Sequence, residues 1–511
     1  MNKNHIMYRL FNSFEINDIL YLHFKSNTNL DKSFEGKGDF DVLVDKNRIS
    51  DIETLIIKCN GKRHNPVHIG SYPGVDNWLV FDDLSGKIYH LHLHYQLATG
   101  KSFVKDYVIP WNDVLFSTRV KDPNYGIYIT NPNVELLLLT FRIVLKAKLF
   151  DRSKKLFGLY KLNRGMQKEW DDLSGKVSHS ELLKVAEALS PGVPSSIIDI
   201  ISKKELTSSD FFKLHIYIRK AMSNYRRISG LEATVRSCIY NVVVRVRKIM
   251  SVKFGRLSIL RKTSLQGGLI IAFVGVDGAG KSTVSNEITK WIRLGKIECR
   301  RFYMGTGDGK TTFLNSLVKK VVRLKDKGNG KVKQGLDSPV IHSSRNKGSI
   351  SLFKTPYSFL KKAVKIYQIS SVQSNNKKKI IRMNRYRLNG GISVLDRWPQ
   401  IEIPGQNDGP KVKMFEDRFT DKWYIKRRIE KEKSNLGIVK EIKPDLVFRL
   451  NISIDTCMNR KPEHINRKGF ENKLYELNQL NFQGAKVIEV NAELPYDEEL
   501  LEIKRILWNF I

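Results

Sequence analysis

One stretch of this chain has the residue types and the spacing needed to hold the phosphates of a nucleotide. Residues 275–282 read GVDGAGKS and satisfy the pattern GxxxxGK[ST]. In such a loop the glycines let backbone N–H groups turn towards phosphate oxygens, the lysine reaches the outer phosphates and the serine hydroxyl ligates Mg²⁺. The residues predicted to bind the nucleotide are Gly275, Asp277, Gly278, Ala279, Gly280, Lys281, Ser282 and Thr283.

A second pair of residues suited to this chemistry is Asp396 and Arg397, which follow the apolar run GISVL at residues 391–395. The run predicts a buried strand, and catalytic groups of open α/β sheets lie at the carboxyl ends of such strands. The aspartate would hold magnesium, directly or through water, or orient an acceptor, and the arginine would grip a phosphate with two hydrogen bonds. An exposed salt-bridging pair is the alternative interpretation.

Two carboxylates near the N-terminus form a further candidate metal site. Asp39 and Asp41 would share one face of a strand within the sequence GKGDFDVLVD at residues 36–45. Alternate positions of a second predicted strand carry three histidines, which would ligate metal or bind phosphate from one side. Histidines without any ligand are also common on sheet faces, and this is the alternative interpretation. The three histidines are His90, His92 and His94.

Alternating strands and helices must position the phosphate loop and the Asp396–Arg397 pair. The apolar run before the loop predicts a buried parallel strand, and the apolar spacing after the loop predicts a helix. Five such strands alternating with helices predict a doubly wound parallel sheet, an α/β P-loop domain over residues 267–511. The strands are predicted near residues 269–274, 301–304, 391–395, 444–450 and 485–490.

The remaining residues are predicted to form two further parts. Residues 1–132 alternate short β-like runs with turns, which predicts a small mixed α/β domain. Residues 133–266 have helical apolar spacing and end in a basic stretch, which predicts a helical segment with a basic linker, packed on the first domain. From Arg236 to Lys262 there are eight basic residues and no acidic one, which predicts a solvated basic helix or linker, or attachment to an anionic membrane.

The overall charge and the cysteine pattern indicate classes of partner and compartment. The formal net charge of +36 would attract nucleotides, nucleic acid or anionic lipid, and a second basic stretch covers residues 319–335. The four cysteines lie far apart without a CxxC pair, and no apolar run approaches the roughly 20 residues that span a bilayer. We therefore expect a cytoplasmic protein.

Three segments together resemble the thymidylate kinases: FVGVDGAGKST at 273–283, DRW at 396–398 and PDLVFRL at 444–450. The resemblance covers roughly residues 267–511 and implies phosphoryl transfer from Mg-ATP, with a homodimer as the assembly to test. It implies that Arg397 contacts the acceptor phosphate beside Asp396 and that Asp277 meets a sugar hydroxyl of the acceptor. A mobile lid would add basic residues, namely Arg460, Lys461, Arg467 and Lys468. The predicted catalytic residues are Lys281, Asp396, Arg397 and Arg460.

The chain departs from that family where the acceptor should bind. Residues 305–309 read GTGDG, where thymidylate kinases carry Arg-Glu-Pro-Gly-Gly, and this argues against thymidylate as the acceptor. The turn-rich loop at 404–410 would line an acceptor pocket, or is an ordinary surface loop. We predict an ATP-dependent kinase that acts on a small phosphorylated molecule. The alternatives are an ATP-controlled binding protein and a bifunctional nucleotidyltransferase–kinase.

The bifunctional alternative comes from the N-terminal domain. The spacing of Asp39 and Asp41 resembles the paired aspartates of polymerase-beta-like nucleotidyltransferases, and Lys25-Ser26 with Gly36 loosely matches the Gly-Ser turn of that family. The third carboxylate that those enzymes place on a later strand is not evident. A nucleotidyltransferase-like fold that binds a ligand without catalysis is therefore the default interpretation.

Overall fold

The computed structural model describes most of the chain, with gaps. The features that fall outside the described residues include the GTGDG sequence at 305–309, the basic stretch at 319–335, most of the loop at 404–410, and Lys461. The described residues are 4–66, 71–72, 74–147, 162–190, 192–254, 261–264, 266–304, 356–404, 409–411, 423–460 and 467–511.

A mixed sheet of eight strands forms the centre of the N-terminal half, in the order β10-β3-β4-β5-β2-β1-β9-β8. Strands β6 and β7 form a separate two-stranded ribbon. The strands are β1 (Tyr21–His23), β2 (Asp39–Val44), β3 (Gly61–Pro66), β4 (Val75–Phe81), β5 (Ile88–His94), β6 (Leu97–Thr99), β7 (Tyr107–Ile109), β8 (Val120–Lys121), β9 (Tyr128–Ile129) and β10 (Lys262–Ser264). The accompanying helices are α1 (Ile6–Ile16), α2 (Leu30–Phe34), α3 (Ile49–Lys58) and α4 (Asn112–Ser117).

Helix α5 (Pro132–Lys146) is the core of the helical segment. Every residue from Asn133 to Leu145 is buried, because the helix packs in one apolar cluster with the sheet residues Leu22, Phe24 and Leu43 and with the helices that follow. Those helices are α6 (Arg164–Ser174), α7 (His179–Leu189), α8 (Ser195–Ile201) and α9 (Ser208–Ala221). The structure therefore places the helical segment directly on the N-terminal sheet.

Helix α10 (Gly230–Phe254) carries much of the predicted basic linker and leaves one apolar face exposed. Side chains three and four residues apart lie on the same side of a helix. The exposed apolar side chains follow that spacing, and Arg245, Arg247 and Lys248 are exposed with them. Membrane attachment stays a prediction; within the described residues, no helix is long and apolar enough to cross a membrane. The exposed apolar residues are Leu231, Val235, Ile239, Val242, Val246 and Ile249.

The C-terminal half contains a five-stranded, fully parallel sheet in the order β12-β13-β11-β14-β15, which confirms the predicted α/β fold. Its strands are β11 (Ile270–Gly275), β12 (Cys299–Tyr303), β13 (Ile392–Asp396), β14 (Leu446–Asn451) and β15 (Lys486–Asn491). Its helices are α11 (Lys281–Leu294), α12 (Pro356–Leu388), α13 (Trp423–Glu441), α14 (Ile454–Arg460), α15 (Arg467–Gln479) and α16 (Tyr496–Trp508).

The two halves share one apolar core. Leu79, Phe81 and Ile88 of the N-terminal sheet belong to the same buried cluster as the parallel sheet. The Phe81 ring stacks on Trp508 at 5.3 Å between centroids and meets Trp291 edge-on at 5.9 Å. Aromatic pairs of this kind contribute about 0.5–1.5 kcal/mol beyond the burial of their area. The interface is therefore built like a domain interior.

Strand β10 joins the halves through its backbone. On one edge it pairs antiparallel with β3 of the N-terminal sheet. On the other side the Lys262 N–H donates to the Lys296 carbonyl at 2.8 Å, and the Glu298 N–H donates to the Lys262 carbonyl at 2.9 Å. The end of the predicted linker is thus a structural strand, which apolar periodicity did not reveal because the strand has only three residues.

Candidate functional site

The phosphate loop connects β11 to α11, the position that its sequence pattern requires. Gly278 and Gly280 have φ angles of +97° and +85°, a backbone region that favours glycine, and Gly280 begins the helix as its N-cap. The Thr283 N–H closes the first helical turn onto the Gly280 carbonyl at 2.9 Å, and Ala279 is buried beneath the loop. The glycine positions thus shape a turn that places the positive end of the α11 dipole at the loop, where it favours an anion.

The Lys281 side chain folds back over the loop. Its ammonium donates to the Val276 carbonyl at 2.7 Å and lies 3.9 Å from Asp277 Oδ1, while the residue as a whole is only 7% exposed. A buried ammonium is costly unless it is hydrogen-bonded. The loop carbonyl therefore keeps this cation at the site where a phosphate would bind.

Ser282, Arg301 and Asp396 meet at the carboxyl end of the sheet. The Ser282 hydroxyl donates to Asp396 Oδ2, and Arg301 Nη2 donates to the same oxygen at 3.1 Å. Asp396 is fully buried, and its second oxygen, Oδ1, has no hydrogen-bond partner among the described atoms. A hydroxyl beside a carboxylate with an open oxygen matches the oxygen ligands that Mg²⁺ prefers. The predicted ligands Ser282 and Asp396 therefore fit that ion.

Arg397 adopts a strained backbone next to this carboxylate. Its φ angle is +80°, a region that few residues other than glycine adopt, and its N–H donates to the Phe273 carbonyl at 3.0 Å. The guanidinium Nη2 reaches Asp277 Oδ1 at 3.2 Å. The strain directs the arginine across the sheet edge to the phosphate loop, so the two predicted acceptor residues lie together.

Asp277 is surrounded by three cations. Lys281, Arg397 and Lys473 all lie within 4 Å of its carboxylate, with Lys473 Nζ at 3.5 Å from Oδ2. Partial desolvation alone would raise the pKa of Asp277, but Lys281, followed by Arg397 and Lys473, outweighs that effect and lowers the pKa. The carboxylate therefore stays ionised and is able to accept hydrogen bonds from a ligand hydroxyl.

Helices α14 and α15 pack directly on the loop, a contact that the sequence pattern did not reveal. The Cys457 thiol of α14 donates to the Asp277 carbonyl at 2.7 Å, and a Cβ atom placed on Gly278 would lie 2.5 Å from Cys457 Sγ. Lys473 extends from α15 to Asp277. Arg301, Cys457 and Lys473 are thus site residues that carry no motif, since each arrives from a separate strand or helix.

The two predicted lid cations whose side chains are described contact other parts of the protein. Arg460 Nη2 donates to the Ala492 carbonyl at 3.0 Å, at the end of β15, and Arg467 lies 3.8 Å from Glu471 on its own helix. The side chains of Lys461 and Lys468 lie outside the described residues. Among the described basic residues of α14 and α15, Lys473 rather than Arg460 contacts the loop.

The N-terminal aspartates are paired with lysines. Asp39 Oδ1 lies 2.7 Å from Lys296 Nζ, and Asp41 Oδ1 lies 2.8 Å from Lys25 Nζ. Desolvation would raise the pKa of Asp41, but Lys25 and the hydrogen bonds from two histidines hold that pKa well below its ordinary value. Asp41 is therefore ionised and already neutralised by protein groups.

The three histidines of β5 divide between two environments. His92 Nδ1 and His94 Nε2 lie 3.4 and 3.2 Å from Asp41 Oδ1, whereas His90 Nε2 is 3.1 Å from the Leu294 carbonyl of α11. Burial, with repulsion from Lys262 and Lys296, lowers the pKa of His90 to about 3, so this ring is neutral. Within the described part of the chain, no group of three His, Cys, Asp or Glu side chains is arranged to hold a metal. Metal binding at Asp39 and Asp41 stays a prediction.

The parallel sheet and the loop between β11 and α11 define the C-terminal half as a P-loop nucleotide-binding fold. No family model matches the chain.

Two relatives and one solved structure resemble about half of the chain. YghR of Escherichia coli K12, described as an uncharacterized ATP-binding protein, is 28% identical over 239 residues, which are 46% of this chain and 85% of YghR. YghS of the same strain has the same description and is 26% identical over 249 residues, 48% of this chain and 93% of YghS. A thymidylate kinase from Ehrlichia chaffeensis matches 47% of this chain and 99% of its own at 13% identity, with a TM-score of 0.23, too low to support an argument.

Proposed function

We propose that residues 267–511 transfer a phosphoryl group from Mg-ATP to a small phosphorylated acceptor. The observation that carries the proposal is the position of Arg397, whose guanidinium lies 3.2 Å from Asp277 beside the phosphate loop. A protein that only binds or hydrolyses ATP needs the loop lysine, the magnesium ligands and a group that positions water, but no arginine for an acceptor phosphate. ATP as the donor is supported by the descriptions of YghR and YghS as ATP-binding proteins.

The loop residues would bind the donor. The Lys281 ammonium, now on the Val276 carbonyl, would move to the outer phosphates, while the backbone N–H groups at the start of α11 hold the remaining phosphate oxygens. Ser282 and Asp396 would hold Mg²⁺, which neutralises charge on the transferred group. Arg301 already donates to Asp396 and would fix the orientation of that carboxylate.

Arg397 and Asp277 would bind the acceptor. The guanidinium suits a phosphate group, and the ionised carboxylate suits a hydroxyl, so the acceptor would carry both. Lys473 lies close enough to the loop to add positive charge where the phosphoryl group passes. Arg460 would have to leave the Ala492 carbonyl to play the catalytic role that the resemblance implies. Homodimerisation and binding to nucleic acid or anionic membrane stay predictions.

The proposal is tested by phosphoryl transfer from γ-labelled ATP to a panel of nucleoside monophosphates and sugar phosphates. We expect transfer to one acceptor class, and loss of that transfer in Lys281→Ala and in Arg397→Ala. Lys290→Ala is the matched control, because Lys290 is an exposed lysine of the same helix α11. Transfer that survives Arg397→Ala would exclude the proposed acceptor role.

A second candidate is an ATP-controlled switch, which two contacts favour. Helix α11 starts at the phosphate loop and ends at the N-terminal domain, where its Leu294 carbonyl meets His90 and the following Lys296 meets Asp39. Movement of the loop upon ATP binding would therefore act on the N-terminal sheet directly. ATP hydrolysis that ignores every acceptor and does not depend on Arg397 would favour this switch over the kinase.

A further inference from the structure

A cavity of about 230 Å³ lies between the N-terminal sheet and helix α5, away from the phosphate loop. Four basic side chains line it, and they come from three separate segments of the chain. Lys25 follows β1, Lys105 lies in the loop between β6 and β7, and Arg142 and Lys146 lie one helical turn apart on α5. The cavity therefore gathers positive charge that no single sequence motif specifies.

The negative charge at this cavity is much smaller. Among the described lining residues Asp41 supplies the carboxylate, and Lys25 Nζ forms an ion pair with its Oδ1 at 2.8 Å. Arg142 Nη1 lies 3.4 Å from Glu169 behind the cavity wall. Within the described part of the chain, neither Lys105 nor Lys146 has an ion pair with a carboxylate. Two of the four basic side chains thus have no carboxylate partner among the described residues.

The hydrogen bonds of a buried aspartate, Asp106, fix the loop that carries Lys105. Asp106 is 1% exposed and accepts hydrogen bonds from the Lys101 N–H at 2.8 Å and from Arg226 Nη2 at 3.1 Å. Lys105 has a φ angle of +51°, a strained conformation that persists only where the surroundings fix it. Its ammonium also lies 5.2 Å from the Tyr72 ring centroid. The lysine is therefore positioned at the cavity by the fold.

Crowding of these cations is unfavourable in the protein alone. Burial, with repulsion from Lys25 and Arg142, lowers the pKa of Lys105 to about 8. Burial, followed by repulsion from Arg142 and then Lys105, lowers the pKa of Lys146 to about 6. A bound anion would reverse both effects, because it favours the charged form of each ammonium.

Two polar atoms at the cavity wall are also unsatisfied. Thr99 Oγ1 and His94 Nδ1 are buried and have no hydrogen-bond partner among the described atoms. Both residues line the cavity, and each is less than 10% exposed. Buried polar atoms normally find a partner, so the Thr99 hydroxyl indicates a ligand that accepts hydrogen bonds. His94 Nε2 faces Asp41, so Nδ1 of the neutral ring is an acceptor and indicates a ligand hydroxyl or a protonated ligand oxygen. The rest of the wall is largely apolar, with Phe24, Ile109 and Leu138.

We propose that this cavity is a second ligand site, which binds a small phosphate-bearing molecule through Lys105, Lys146, Arg142 and Thr99. Its size is below the roughly 300–1,000 Å³ of typical drug-sized pockets, which favours a compact phosphate ester over a large ligand. The phosphate is held by the lysines and the arginine, and the apolar wall contacts the remainder of the molecule. This site does not depend on the kinase activity proposed above.

The test is isothermal titration calorimetry of the full chain with sodium pyrophosphate and with inorganic phosphate. All variants carry Lys281→Ala, so that binding at the phosphate loop is weakened equally throughout. We expect Lys105→Met and Lys146→Met each to weaken binding at least about tenfold, the usual effect of losing a charged hydrogen bond. Lys184→Met, an exposed lysine of α7, removes the same charge and should leave the affinity unchanged.

Thermal unfolding without ligand separates a binding role from a structural one. Lys146 is buried without a carboxylate partner, and its replacement by Met removes the cost of burying the amine, so Lys146→Met should unfold at the same temperature as its Lys281→Ala parent or higher. A lower unfolding temperature would mean that Lys146 supports the fold. The proposal is overturned if neither probe binds. It is also overturned if the parent, Lys105→Met and Lys146→Met bind pyrophosphate with equal affinity.

Discussion

The Lys296 ammonium, just beyond the end of helix α11, lies 2.7 Å from the Asp39 carboxylate on strand β2. The P-loop half thus supplies the counter-ion for one of the two aspartates predicted to bind metal. Desolvation would raise the pKa of Asp39, but His92, Lys296 and His90 together lower it. The carboxylate is ionised, and a divalent metal would have to compete with Lys296 for it.

This competition gives the first prediction. Lys296→Met should strengthen Mn²⁺ binding at Asp39 and Asp41, because it removes the competing ammonium from one ligand. The measurement is Mn²⁺ titration followed by electron paramagnetic resonance, with Lys290→Met as the control for loss of one positive charge. Asp39→Asn should cancel the gain. If Lys296→Met and the wild type bind Mn²⁺ equally weakly, the predicted metal site at these aspartates is wrong.

The second prediction concerns Gly278. Alanine there would place a Cβ atom 2.5 Å from Cys457 Sγ at a φ angle of +97°, so the loop must shift. We expect at least about a tenfold loss of ATP affinity, measured with a fluorescent ATP analogue, from strain of about 1–2 kcal/mol plus the collision. Gly267→Ala is a matched control, since Gly267 has the same φ of +97° but open space around its Cα. Equal losses in both variants would show that strain alone matters.

The third prediction concerns Arg397, whose backbone strain affects stability and whose guanidinium would bind the acceptor. Arg397→Ala and Arg397→Gly both remove the guanidinium, and both should lose acceptor phosphorylation. Only glycine relieves the φ of +80°, so Arg397→Gly should be more stable than Arg397→Ala by about 1 kcal/mol. Chemical denaturation monitored by circular dichroism measures this difference. Equal stability of the two variants would mean that the surrounding structure does not hold Arg397 under strain.

The fourth prediction distinguishes Lys473 from the other basic residues of α14 and α15. Lys473→Met should lower the rate of phosphoryl transfer at least about tenfold, because it removes a cation beside Asp277. Stability should change by less than about 1 kcal/mol, as expected for a partly exposed ion pair. Arg467→Met is the comparison, since Arg467 is exposed and lies near Glu471 of its own helix. A larger loss of transfer in Arg467→Met would mean that Arg467, and not Lys473, supplies the positive charge during transfer.

The fifth prediction follows from the low pKa of Lys146. Between about pH 6 and about pH 10 the unfolded chain holds a proton on this lysine that the folded protein lacks, so its contribution to stability rises with pH. Lys146→Met should therefore be more stable than the wild type below pH 6, and the difference in stability should shrink towards pH 10. Denaturant titration at each pH measures this difference. A difference that does not change with pH would contradict the lowered pKa. The charged and titratable groups near this lysine are Lys25, Asp41, His92, His94, Lys105, Arg142 and Glu169.

The sequence predicted the parallel sheet well because its central strands β11 and β13 are apolar runs that lead directly into the phosphate loop and the Asp396–Arg397 pair. Strand β11 lies within one residue of its predicted position, and Asp396 ends its strand as expected. The contacts of Arg301 and Lys473 could not be predicted, since they depend on how separate elements pack around the loop. The same holds for Lys105 and Lys146, which are distant in sequence and meet only through the packing of α5 on the sheet.

The core shared by the two halves has a thermodynamic consequence. Phe81 is buried between Trp291 and Trp508, and its neighbours Leu79 and Ile88 complete the P-loop core from the N-terminal side. Separating the halves would expose these side chains to water, at roughly 1.5–3 kcal/mol for each large apolar group. Neither half is therefore an independent cooperative unit. Calorimetry should record one coupled unfolding transition for both, with the heat capacity change of the whole chain.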